Sequence, residues 1–332
     1  MIHRRLFLSC VLVLALVAAG SCGGPPPSVP GRDPLVLPET ILVRSQGRIV
    51  RVPLEEYLIG TTLAEVGPVG ERPEVVERIF RVQAIIARTY AASHLGRHAA
   101  EGFNLCDTTH CQVYDPARLR TSRFAAAARA AVDATRGQIL VFNGRPGQAL
   151  FHADCGGHTA DAAAVWGGQS VPYLTGAPDP LPEGTHRTWQ FELTADQLRE
   201  ALNASPTTAI GATLHRVRVA ARDASGRVAL VEVDGSEPRS LRGEQLRAAI
   251  NQVFGARAIM STRFTLELTA EGVYRFEGTG YGHGVGLCQV GAAARLRRGD
   301  DVARVLAAYY PGTTLTRAAS QVTSRPRPFP GR

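Results

Sequence analysis

The sequence predicts an α+β fold, and three observations carry that reading. An Ala-rich run from Pro73 to about Leu95 repeats Val75, Ile79, Val82 and Ile86 at helical spacing. Short β-branched runs flank turn residues, beginning with ILVRSQGRIVRV at residues 41–52, whose centre Gln46-Gly47 reads as a hairpin turn. Helical and extended patterns then mix through residues 189–279, without the strand–GxGxxG–helix unit of a nucleotide-binding sheet. The 332 residues suffice for one large or two moderate domains, and 45% hydrophobic content is ordinary for a globular chain.

The N-terminus reads as an export signal over residues 1–21. His3-Arg4-Arg5 is the positive segment, and Leu6 to Ala19 is an apolar stretch too short to span a bilayer comfortably. Ala19-Gly20-Ser21-Cys22 resembles a bacterial lipobox, which would make Cys22 the lipidated first residue of a membrane-anchored envelope lipoprotein; cleavage by an ordinary signal peptidase is the alternative. Residues 22–40 are rich in Gly and Pro and read as a tether. The formal charge is +8, and losing Arg4 and Arg5 with the signal lowers it by two to +6. That balance suits contact with anionic polymers or membranes; with no basic run interleaved with aromatics, it does not point to nucleic acid.

Residues 57–91 are the centre of the chain. Tyr57 to Leu63 is apolar, Glu65 follows, and Gly67-Pro68 breaks the run. Gly70 marks a turn, Pro73 suits the first turn of a helix, and Glu74 and Glu77 favour its N-terminal end. Glu65 therefore sits where an apolar segment meets a loop. Apolar neighbours raise a carboxyl pKa, and a carboxyl protonated near neutrality can be a general acid. The competing reading is an ordinary surface glutamate, like nearby Glu55 and Glu56. Arg88, in an apolar helix, reads from local sequence as a structural ion-pair partner.

The loop at 96–116 contains Cys106, His110 and Cys111, with His94 and His98 upstream. Two readings fit: a tetrahedral zinc site with His98 as fourth ligand, or a small Cys106–Cys111 disulfide suited to an oxidising compartment. An Ala-rich helix covers 121–135. Residues 138–143 and 148–152 read as paired strands around Gly144-Arg145-Pro146-Gly147. The next segment, HADCGGHTADA, brings Asp154, Cys155, Gly156, Gly157, His158 and Thr159; Trp166 and Tyr173 follow as candidates for stacking on a sugar ring. Over 189–279, helices are expected near 195–203 and 242–254, and strands near 215–221, 228–234, 263–269 and 273–277. In GTGYGHGVGLCQVGAAARL, residues 278–296, glycine recurs at every second position from Gly278 to Gly286 around Tyr281 and His283. His283 is a candidate ligand or proton donor, with a structural histidine as the plain alternative. Helices are expected from Gln289 to Arg298 and from Asp301 to Tyr309, and a disordered tail over 318–332. Neither Gly-x-Ser-x-Gly nor His-Glu-x-x-His occurs.

Glu65 with Val82-Gln83-Ala84 and Ala87-Arg88-Thr89-Tyr90-Ala91, then Gln112-Val113-Tyr114, Gly156-Gly157-His158-Thr159 and Gly282-His283-Gly284-Val285-Gly286, resembles the sporulation stage II protein D / amidase-enhancer (SpoIID/LytB) family. The resemblance covers about residues 41–316, with the motifs in the family's order. It implies one catalytic domain over 41–317, a groove formed by several loops, and a second lobe inserted at about 189–277, before the Gly-rich motif. It implies a lytic transglycosylase acting on peptidoglycan glycan strands, with Glu65 catalytic. Substrate-binding roles fall to Arg88, Gly156, Gly157, Thr159, Tyr281, His283 and Gln289. It requires no cofactor, but a structural zinc on Cys106, His110 and Cys111 is known in some relatives. The alternative it implies is a non-catalytic, peptidoglycan-binding enhancer of a cell-wall amidase. Three departures stand out. Val66-Gly67-Pro68 follows the acid where the family has Met-Pro, and Cys155 and Cys288 replace serines of the Ser-Gly-Gly and Gly-Met-Ser-Gln segments. Since the family's two turns line one groove, the resemblance implies that Cys155 and Cys288 meet, as a disulfide.

Overall fold

The computed structural model describes residues 35–181 and 185–320. The expected signal peptide, the lipidated Cys22, most of the tether and the last twelve residues lie outside the described residues. Strand β1 (Val36–Leu37) precedes a hairpin of β2 (Thr40–Ser45) and β3 (Arg48–Pro53). The hairpin pairs without slip from Thr40↔Pro53 to Ser45↔Arg48. Gln46 and Gly47 both have positive φ, as a two-residue hairpin turn requires.

Helix α1 (Leu54–Glu65) follows directly, so the apolar run before Glu65 is helical. Residues 57–63 are all buried, so this stretch of the helix is enclosed on every side. Helix α2 (Pro73–His94) starts at Pro73 as expected and is the central rod. Its Val76, Phe80, Ala84, Ala87 and Ala91 pack into one core with α1 and the hairpin. Its Val75, Val82, Ile85 and Ile86 pack into a second core on the other side. The small alanines let a helix be enclosed on two faces, because neighbours can approach its backbone closely.

Beyond α2, β4 (Leu105–Cys106) adds to β2 in parallel, and α3 (Arg118–Thr121) and α4 (Ala125–Ala134) pack beside α1. Strand β5 (Gln138–Phe142) pairs with β6 (Arg145–Pro146), not with residues 148–152. Asn143 and Gly144 both have positive φ and close the turn immediately, joining Phe142 to Arg145. Pro146, which has no N–H, then ends the short strand. The released segment forms β7 (Phe151–His152) and waits for a partner far along the chain. Helix α5 (Ala162–Trp166) is capped by Asp161, whose side chain accepts from Ala163 and Ala164 N–H.

Residues 188–279 have a third core of their own, from Leu193 to Phe276. Strand β8 (Thr188–Thr194), helix α6 (Ala195–Asn203), strands β9 (Leu214–Arg222), β10 (Val228–Gly235) and β11 (Arg239–Arg242), helix α7 (Gly243–Phe254), and strands β12 (Phe264–Leu268) and β13 (Val273–Thr279) make two antiparallel three-stranded sheets with two helices. The chain then returns as β14 (Leu287–Cys288), parallel to β7 with Cys288 opposite His152. Helices α8 (Gln289–Arg297) and α9 (Val302–Tyr309) complete the second core, and β15 (Thr314–Arg317) pairs with β5. Strand β16 (Ala319–Ser320) pairs in parallel with β1, so ordered pairing reaches past the expected limits of 41 and 317 at both ends. Among the described residues no helix is long and apolar enough to cross a membrane.

Candidate functional site

Glu65 is the last residue of α1 and is only partly exposed. Burial pushes its carboxyl up to about 7, against the opposing pull of a hydrogen bond from the Val113 backbone N–H, 2.7 Å from Oε1. Three of the sequence motifs build this contact. Gly60, one turn before the end of α1, faces the Tyr114 ring; a Cβ there would lie 2.5 Å from Tyr114 Cε2. The missing side chain lets Tyr114 lie on the helix, 5.0 Å centroid to centroid from Tyr57. Gln112, fully buried, donates to the Ala87 carbonyl of α2 and to the Tyr57 hydroxyl. Held on both sides, Val113 presents its N–H to the acid. Arg118 donates to the Leu63 carbonyl at the C-terminal end of α1 over 2.8 Å, where a cation is favoured. The role of the Val113 N–H is not visible in the sequence, because a backbone donor has no residue signature.

The Gly-rich segments meet on the other side of α2. Asp154 and Tyr281 exchange backbone hydrogen bonds, and Ala160 N–H donates to the Gly284 carbonyl. Gly156 and Gly157 both have positive φ, and a Cβ at Gly156 would meet Thr279 Oγ1 at 2.9 Å. The turn thus packs against the end of β13 in a conformation that favours glycine. Asp154, itself buried, accepts from Gly156 N–H, from Arg187 N–H, and at 2.7 Å contacts His186 Nδ1. His186 carries no motif and was not a sequence candidate. His283 Nδ1 accepts from Val285 N–H, which leaves Nε2 as its donor. Burial, with Arg247 and Arg227 nearby, lowers its pKa to about 3, so His283 is a neutral imidazole at physiological pH. Its ring lies 5.1 Å from that of Trp166, which is 41% exposed. Trp166 is therefore the aromatic face open to a ligand, whereas Tyr173 is core, its hydroxyl accepting from Gln148 N–H. Gln289, first residue of α8, donates to Gln83 of α2 at 3.2 Å. Glu71, in the loop after Glu65, is bound by Arg297 of α8. These two contacts tie α8 to α2 and to the loop that follows Glu65.

Two expected substrate ligands are structural instead. Arg88 is wholly buried and forms a two-point ion pair with Glu55, Nε to Oε1 at 3.1 Å and Nη2 to Oε2 at 2.6 Å. Its remaining donors reach the Val132, Thr135 and Gln138 carbonyls. It ties α1, α2, α4 and β5 together and has no donor left for a ligand. Thr159 is buried, and its hydroxyl both donates to and accepts from Ala177. A cleft of about 850 Å³ opens beside the Gly156 turn, lined by Trp189, Arg222, Arg263 and Thr279 among others; its lining does not include Glu65.

Cys106, His110 and Cys111 converge with His98, their ligand atoms all within 4.8 Å of one another. Cys106 Sγ lies 3.7 Å from His110 Nδ1, and Cys111 Sγ lies 3.4 Å from His98 Nε2. His98 Nδ1 is bound to Glu101, the carboxylate–histidine pairing that orients a ligating imidazole with its other nitrogen free. Both thiols are free, so the disulfide reading of this loop is not what the structure contains. The donor set of two thiols and two imidazoles fits tetrahedral zinc. The expected Cys155–Cys288 disulfide needs correction too: Cys155 N–H lies 3.2 Å from Cys288 Sγ, so the residues do meet, but as free thiols.

Comparison with known proteins agrees with the motifs. Residues 44–142 match the family model described as Stage II sporulation protein, SpoIID, and residues 182–286 match a domain of unknown function, DUF8618. The chain is 28% identical over 268 residues to an uncharacterized protein of Brachyspira hyodysenteriae, covering 79% of this chain and 66% of that protein, just under two thirds. It is 25% identical to Stage II sporulation protein D of Bacillus subtilis, covering 81% of this chain and 76% of the relative. It is 27% identical to the Bacillus subtilis Amidase enhancer, covering 71% of this chain but 38% of that longer protein.

Proposed function

Because this chain belongs to the stage II sporulation protein D / amidase-enhancer (SpoIID/LytB) family, we propose that it is a cell-envelope lytic transglycosylase. It would cleave peptidoglycan glycan strands to 1,6-anhydro-MurNAc ends. The observation that carries this reading is Glu65, a carboxyl held near neutrality with one oxygen engaged by a backbone donor. Val113 N–H occupies Oε1, so the acid proton resides on Oε2. Hydrolytic glycosidases ordinarily use two carboxylates. One suffices when the nucleophile is the sugar's own 6-hydroxyl. Oε2 gives its proton to the glycosidic oxygen as the C1–O bond breaks. The 6-oxygen then bonds to C1, and the carboxylate takes the hydroxyl proton, restoring the acid without water. Trp166 would stack on a sugar ring, with the neutral His283 ring packed beside it. Purified protein acting on isolated glycan strands, read by mass spectrometry, tests this. Anhydro ends should form with the wild type and vanish with Glu65→Gln in a folded protein; equal release by the variant would remove Glu65 from the mechanism.

A second reading, a non-catalytic enhancer of a cell-wall amidase, is favoured by the likeness to the Amidase enhancer of Bacillus subtilis. It predicts strand binding and amidase stimulation without any anhydro product. Under either reading, a zinc ion held by His98, Cys106, His110 and Cys111 would brace the loop leading directly into Gln112-Val113-Tyr114. Metal analysis should find one zinc per chain, lost in Cys106→Ser. Anchoring through a lipid on Cys22 completes the envelope assignment, and Cys22→Ser should move the protein from the membrane to the soluble fraction.

A further inference from the structure

We infer that His152, Cys155 and Cys288 form a second metal site, suited to a three-coordinate thiophilic cation, copper(I). It is separate from the four-residue cluster and independent of glycan cleavage. The three ligand atoms lie within 4.8 Å of one another, and all three side chains are buried. Topology brings them together. His152 of β7 stands opposite Cys288 of β14 in a parallel pair, and Cys155 follows three residues later at the turn that returns over Cys288.

Each ligand is prepared. His152 Nδ1 faces the Val285 carbonyl at 3.2 Å, so the proton sits there and Nε2 carries the lone pair. That Nε2 is buried with no hydrogen-bond partner, an unusual cost unless something occupies it. Cys288 Sγ lies 3.2 Å from Cys155 N–H and 3.3 Å from Gly291 N–H, at the cap of α8, and Cys155 Sγ lies 3.3 Å from Gly157 N–H. These backbone donors can stabilise the thiolate form once a metal displaces the thiol protons.

The count and the charge select the ion. Asp179 Oδ2 lies 3.6 Å from Cys155 Sγ, but it accepts from Tyr309 and its other oxygen is bound by Arg295. Asp154 and His186 approach Cys155 alone, so among the described residues no fourth donor lies within 4.8 Å of all three ligand atoms, where zinc would close a tetrahedron. Soft thiolates favour copper(I). Two thiolates and one monovalent cation leave a net charge of −1. Beside them lies the buried guanidinium of Arg227, which donates to the Cys155 carbonyl at 2.8 Å while its Nε and Nη1 have no hydrogen-bond partner. That guanidinium, which also lies in the field of Asp223 and Glu244, offsets the residual negative charge of a monovalent complex. Loading replaces the two thiol protons by the metal and releases them to solvent.

The test uses the full chain, purified under reductant, and titrates copper(I) against the chromogenic competitor bicinchoninate. Cys155→Ser and Cys288→Ser should each bind one equivalent fewer than the wild type, with metal at the four-residue cluster retained. Should either variant fail to fold, alkylation of the wild type in mild denaturant decides: copper(I) should shield both Cys155 and Cys288. Equal copper in wild type and folded variants, no shielding, or a Cys155–Cys288 disulfide in the exported protein would each overturn the site.

Discussion

Val113 N–H and Glu65 Oε1, 48 positions apart in sequence, meet at 2.7 Å, and this contact assigns the two oxygens of the candidate acid different tasks. One is held by the backbone; the other carries the proton. The pull of that hydrogen bond towards the carboxylate is outweighed by burial, which sets the group near pH 7.

The first prediction concerns pH. The Glu65 pKa is raised from 4.5 to about 7, so the proton-donating form dominates below that value. Strand cleavage should fall about tenfold per pH unit above pH 7, as the acid form is depleted. Folding carries the same sign. The folded state binds the proton more tightly than the unfolded chain, so this group's contribution is full below pH 4.5 and is lost as pH rises through about 7. Glu65→Gln has no such loss. Its melting temperature should therefore gain on the wild type between pH 5 and 8, and a constant difference would contradict the raised pKa.

Gly60→Ala places a methyl 2.5 Å from the Tyr114 ring. Overpacking of this kind costs about 1–3 kcal/mol, read by denaturant unfolding. Because Tyr114 adjoins Val113, kcat for cleavage should fall beyond what the unfolded fraction explains.

Arg88→Ala removes one member of a buried ion pair and strands Glu55. The expected loss is about 3–5 kcal/mol of stability. The folded fraction should keep the wild-type KM, since every Arg88 donor is spent inside the protein. A raised KM in a stable Arg88 variant would restore it as a substrate ligand.

Trp166→Ala tests the exposed aromatic beside His283. An aromatic contact adds about 0.5–1.5 kcal/mol beyond area burial. Binding of glycan strands should weaken about two- to tenfold with the melting temperature little changed, because the ring is 41% exposed.

Periodicity and punctuation alone determined much of this protein. Pro73 and the apolar spacing marked α2, the alternation around Gln46-Gly47 marked the first hairpin, and both helices and four of the six strands between residues 188 and 279 followed from the same local signals, β8 and β11 being the two that did not. Glu65 was singled out because an acid at the end of an apolar run stands where folding can bury it, and burial raises a carboxyl pKa. Local signals could not say that residues 151–152 would abandon their neighbouring strand for residues 287–288, since Asn143-Gly144 closes the turn one step early and the new partner is distant in sequence. Nor could they separate Arg88 from a ligand: an arginine is structural or functional according to which carbonyls and carboxylates surround it, and those come from α1, α4 and β5. The sequence motif around Gln112 said nothing of the Val113 N–H, because every residue but proline has one. Only the fold, by pressing Tyr114 onto the bare face of Gly60, decided that this one points at the acid.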